Sequence, residues 1–165
     1  VNSVGSGGTL AIGWNERAED GSYINGHNNL GSSGNTWYGS TNGEIRVGSA
    51  SGTNTTSYTS NDIIGVAFDL DNNKVHYHKN GSYQRSSDPA NNTGGDSLSS
   101  SYNNYWTPWM SKDDTSNNST VEFNFGNPTF TVSSSEADDN GFGSFEYDVP
   151  AGYFSICTKN IAEFG

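Results

Sequence analysis

His76 and His78 stand two residues apart in an alternating stretch, so both rings project from one face of a strand, and such pairs can grip a transition metal. No third ligand stands near them in the sequence, which favours two solvent-facing histidines on the outer face of a hairpin. Asp69, Asp71 and Asn73 mimic the first half of a calcium loop. Such a loop needs glycine at its sixth place and glutamate at its twelfth; Lys74 and Asn80 stand there instead, so the trio reads as turn-forming. The pairs Asp113-Asp114 and Asp138-Asp139 are better placed for calcium, and their default reading is a solvated acidic loop. Asp69 and Glu122, the acids in strand contexts, do not form the facing pair that glycoside hydrolysis requires. There is no Gly-x-Ser-x-Gly elbow, and the Gly5 to Gly8 cluster lacks the lysine and the following helix of a phosphate-cradling loop. These residues predict no enzyme, no metal and no cofactor.

Rings set among amide and hydroxyl side chains suit a different task, the binding of sugars or polar protein surfaces, because they offer apolar area and hydrogen bonds together. Trp37, Tyr38, Tyr58, Tyr102, Tyr105 and Trp106 lie in or beside such stretches. Asn103 lies inside the Tyr102 to Trp106 cluster, and Tyr23 with His27 lies in the loop after Trp14. Together they are the predicted ligand-binding residues, with the Tyr102 to Trp106 cluster at their centre. The competing reading is that half or more of these rings plug the ends of the fold.

The elements that must position them are strands. Ile63 to Leu70 is an apolar run broken only by Gly65 and Asp69, which reads as a strand buried on both faces. Asp71, Asn72 and Asn73 reverse the chain, and Lys74 to His78 returns with Val75 and Tyr77 on one face and the two histidines on the other. Asn80-Gly81 then gives the strongest short hairpin signal. Further strands are predicted over Thr9 to Trp14, Glu44 to Val47, Trp106 to Met110, Thr120 to Gly126, Thr129 to Val132 and Tyr153 to Thr158. The longest polar loop runs from Arg85 to Asn104. No helix-period segment of useful length is present. The expected architecture is all-β, two antiparallel sheets packed face to face.

Length fits one domain, residues 1–165. Leu, Ile, Val and Phe supply fewer than one residue in five and the net charge is −11, a pairing typical of disorder. The 8 Phe, 9 Tyr and 4 Trp compensate, since each ring buries roughly 150–250 Å². Only 7 Lys and Arg are present and they are scattered, which argues against nucleic acid and anionic membrane surfaces. No apolar run approaches a membrane span and no signal peptide opens the chain. Cys157 alone excludes an internal disulfide and reads as a free thiol buried in an apolar strand, consistent with synthesis without oxidative folding.

Four segments in order, Ile12-Gly13-Trp14, Asp69-Leu70-Asp71 with Asn80-Gly81, Thr107-Pro108-Trp109-Met110, and Val121-Glu122-Phe123-Asn124-Phe125-Gly126, resemble the SPRY family. The resemblance spans most of the chain and implies a concanavalin A-like jelly-roll sandwich that recognises partners through loops at one end. Pro150 to Asn160 resembles the closing segment of SPRY-like modules in virion proteins of tailed bacteriophages. That implies a tail fibre, baseplate appendage or capsid decoration, assembled in the host cytoplasm and located in the virion. Its partners would be other virion subunits, as a homo-oligomer, and a host-cell glycan, without nucleic acid or membrane insertion. The family's first strand looks truncated here, with only Val1 to Val4 in its place, and more chain is expected past Gly165. The alternatives are an intracellular SPRY adaptor gripping a short peptide and, third, a carbohydrate-active enzyme.

Overall fold

A computed structural model describes residues 1–18, 20, 22, 30, 34–98, 105–113 and 117–165. Its strands are β1 (Leu10–Arg17), β2 (Asn35–Gly39), β3 (Glu44–Val47), β4 (Thr53–Asn54), β5 (Ile64–Asp69), β6 (Lys74–Lys79), β7 (Ser82–Tyr83), β8 (Asp96–Ser97) and β9 (Tyr105–Lys112), and helix α1 (Thr158–Phe164) follows. They form two antiparallel sheets. The 5-stranded sheet has the order β4-β3-β2-β1-β9, and in the other β6 pairs with β5 on one edge and with β7 and β8 on the second. The sheets do not close into a barrel.

The predicted hairpin is the best-defined local element. Asp69 accepts hydrogen bonds from the Asn72 backbone and side chain, at 2.9 and 2.8 Å, and Asn73 takes a left-handed φ of 54°. The trio is thus occupied in making the turn. At the far end Asn80 and Gly81 are both left-handed, with φ 49° and 79°, as a two-residue hairpin loop of the primed kind demands. Asn80 also receives the Ile63 N–H at 2.8 Å and donates to Asp62 at 2.6 Å, while Lys79 pairs with Asp62 at 3.0 Å. Local side-chain chemistry fixes both ends.

One apolar layer joins the sheets. Leu10, Ile12, Tyr38 and Ile45 enter it from the first, Val75 and Tyr77 from the second, and Tyr58 and Leu98 from connecting segments. Trp14 stacks on Phe68 with ring centroids 5.0 Å apart, and Trp106 meets the same Phe68 at 5.1 Å, so the sheets are also bridged by rings. The Tyr58 hydroxyl donates toward the Leu10 and Tyr38 carbonyls at 2.6 and 3.2 Å. Tyr58→Phe should therefore cost about 1 kcal/mol, the net worth of a buried hydrogen bond, read as a lowered urea midpoint at unchanged slope.

Several expectations are corrected. Asn35–Gly39, placed among loops by its polar composition, is a fully buried central strand. The Ile63 to Leu70 strand is half-buried rather than covered on both faces, and Leu70 is exposed. Thr120 makes only an isolated bridge to Ser3, and no strand forms over 120–126, 129–132 or 153–158. Their apolar residues satisfy local β preference, but no neighbouring strand offers them a ladder of backbone partners. Phe123 and Phe125 stack on each other at the surface instead. Cys157 is half-buried at the N-cap of α1, where its Sγ accepts from the Asn160 N–H at 3.5 Å. The Arg85 to Asn104 stretch is built up over its described part: the Asp88–Thr93 bridge and β8 organise it.

Candidate binding groove

Of the β6 histidines, His76 is buried and His78 half-buried. Val75 and Tyr77 point into the core as their alternation predicts, and on the opposite face Gly95 meets His76 while Tyr83 and Tyr147 meet His78. His76 is 1% exposed, its ring lying against the backbone of left-handed Gly95. Burial, then the nearby Lys74 charge, lowers its pKa, so it is a neutral core residue. His78 fits against Gly65, where a β-carbon would stand 1.8 Å from its Nε2. Burial pushes its pKa down to about 4, and its Nδ1 accepts the Gly81 N–H at 3.2 Å, which assigns the ring proton to Nε2. Among the described residues no group of three or more His, Cys, Asp or Glu is arranged to hold a metal.

His78 forms part of an open groove of about 660 Å³. Tyr83 of β7 meets it edge to face at 5.2 Å, and Tyr147, from the irregular C-terminal segment, meets it likewise at 5.7 Å. The Asn80-Gly81 turn makes this arrangement fit: a β-carbon on Gly81 would stand 2.7 Å from the Tyr147 ring. Ser87, Asp88 and Pro89 from the segment after β7 and Asp148 and Pro150 from the C-terminal segment complete the lining. The Asn91 side chain and backbone N–H donate to Asp88, at 2.7 and 3.2 Å, and hold its carboxyl below the usual carboxylate range. Burial, then Tyr153 and the Asp88 charge, raises the Tyr83 phenol, which stays protonated. The Ser87 hydroxyl is buried with no hydrogen-bond partner among the described residues.

A second carboxylate ties together the chain on either side of the Tyr147 to Pro150 segment. Asp138 accepts from the Asn140 and Phe142 N–H groups, from the Ser155 N–H and hydroxyl, and from the Asn160 amide. Burial would raise its pKa, but these donors outweigh it and bring it down to about 2. Asp138 is therefore a buried structural hub, not a solvated acid, and its lone pairs are taken by donors rather than free for calcium. Asp139 accepts the Gly152 N–H at 2.8 Å, and Asp113 accepts from the Thr9 N–H.

Of the predicted binding residues, Tyr38 (0% exposed) and Tyr58 (3%) belong to the central core. Trp37 (3%) packs with Ala11 and Trp109 on the other face of the 5-stranded sheet, with the Arg46 guanidinium 5.3 Å over its ring. Trp106 packs against the core. Tyr105, 60% exposed at the start of β9, is the one described ring of that set presented to solvent. Tyr23, His27, Tyr102 and Asn103 lie outside the described residues, as does Asp114. The residues that do assemble are His78, on the face that alternation alone leaves to solvent, with Tyr83 and Tyr147, which no sequence motif marks. Only Asn80-Gly81 signalled them, by fixing where the chain after β6 must turn back. No family model matches the chain, and neither a curated protein nor a solved structure does.

Proposed function

We propose that this chain is a non-enzymatic recognition module that holds a polar glycan in the His78–Tyr83–Tyr147 groove. The observation that carries the reading is the meeting of three partly covered rings with hydroxyl and carboxylate groups in one open depression. Sugars present apolar ring faces and hydroxyl edges, and such a surface answers both. The resemblance of Pro150 to Asn160 to closing segments of phage SPRY-like modules supports a setting in a tailed-phage virion, as a fibre, appendage or decoration contacting host glycan and neighbouring subunits. There, many copies turn weak single sites into firm attachment. No helix among the described residues is long and apolar enough to cross a membrane.

Binding rather than hydrolysis is favoured by the acids themselves. A proton-donating carboxyl needs an environment that raises its pKa. Asp88 has the opposite, its carboxyl held low by the Asn91 donors.

The test is a panel of bacterial surface polysaccharides probed with the chain and its variants. Tyr83→Ala and Tyr147→Ala should weaken retention about tenfold, as the loss of a stacking ring does, and Tyr105→Ala should not. Equal retention by all three would remove the groove. Release of sugar reducing ends during incubation would overturn the non-enzymatic reading.

A further inference from the structure

The groove has a charge as well as a shape. Asp88 and Asp148 both line it, and none of the lining residues is Lys or Arg. The nearest cations in sequence are engaged elsewhere: Arg85 with Asp96, Lys79 with Asp62 and the Ser57 carbonyl, Lys74 with the Gly94 carbonyl. A neutral sugar can donate its hydroxyls to these carboxylates but leaves their charge unbalanced, and an anionic sugar would be repelled. An ammonium group balances that charge, and the Tyr83 and Tyr147 rings attract it further. The net charge of −11 steers such a ligand inward.

Resting on the reading of the groove as a glycan site, we propose that its ligand is a glycan bearing unacylated amino sugars, with the ammonium group held between Asp88, Asp148 and the rings. The probes are a short chitosan oligosaccharide and the N-acetylated chitin oligosaccharide of equal length, titrated into isotopically labelled chain. Chitosan should shift the His78, Tyr83 and Tyr147 signals and bind about tenfold more tightly than its acetylated counterpart. Asp148→Asn should narrow that preference, as should raised salt. Tyr147→Ala, which leaves the net charge unchanged, should weaken chitosan binding about fivefold or more. If it binds chitosan as the parent does, the attraction is diffuse and the proposal falls. If the acetylated oligomer binds in the groove equally well, the amino-sugar inference fails while the glycan reading stands. If neither oligomer moves the groove signals, the inference fails, and polysaccharides of the panel that leave those signals unmoved take the glycan reading with it.

Discussion

Replacing Gly13 by alanine is expected to cost about 3 kcal/mol or more of folding stability, a fall in Tm of roughly 6–12 °C for a chain of this size. Gly13 lies opposite Trp37 of β2 on one side and Trp109 of the edge strand β9 on the other, in an interior strand of the 5-stranded sheet. A β-carbon there would stand 1.9 Å from the Thr36 carbonyl oxygen and 2.7 Å from the Trp37 Cα. Both obstacles are backbone, so no rotamer change relieves the clash, and β1 must part from β2. Ile12 and Trp14 would be displaced with it, and they carry the core layer and the stack on Phe68. Gly152→Ala is the control. Its φ of 82° strains an alanine, but nothing lies within 4 Å of the new carbon, so it should cost only about 1 kcal/mol. Equal urea midpoints for the two variants would show that close approach at Gly13 is not what the sheet depends on.

What was legible in the sequence tracks how local the cause is. The Asp62 to Gly81 hairpin could be read because its turns are made by side chains within a few residues of the bend, as Asp69 with Asn72 and Asp62 with Asn80 show. The strand Asn35–Gly39 could not. Asn35 and Thr36 are fully buried polar residues, and what makes that tolerable is pairing with β1 and β3, far away in the chain. The same gap hid the groove. Alternation assigned His76 and His78 to one face of β6, but whether water or protein covers a face is decided by segments such as Gly95 and Tyr147. Sequence marked Tyr38 and Tyr58 as rings in polar surroundings, and the polar neighbours prove to be the frame of the core: the Tyr58 hydroxyl ends on backbone carbonyls, and Tyr77 meets Thr36 at 3.0 Å. The helix after Cys157 did carry a signal, Ile161 and Phe164 three apart with Gly165 following, but it is a single short repeat.

Asp138→Asn is the second large effect, an expected loss of about 2–4 kcal/mol at neutral pH. The five donors converging on this carboxylate come from the 140–142 turn, from Ser155 and from α1, so one residue ties three segments that share no sheet. An amide keeps the shape but offers one acceptor oxygen, and turns its NH₂ toward groups that are themselves donors. The pH dependence follows from the low folded-state value. In the unfolded chain the carboxyl titrates near its ordinary value of about 3.9 and in the folded chain at about 2. The charged form's contribution is complete above the first value and disappears as pH falls through the second. Unfolding by urea at a series of pH values should show a gap between parent and variant that is constant from about pH 7 to 5 and closes between about pH 4 and 2. Tyr147, Asp148 and Pro150 lie between the anchored 136–145 bridge and Ser155, so the variant should also lose groove affinity under conditions where it is still folded. A gap that stays open down to pH 2 would mean that the five hydrogen bonds do not depend on the carboxylate's charge, and that the segment carrying Tyr147 and Asp148 is held by packing instead.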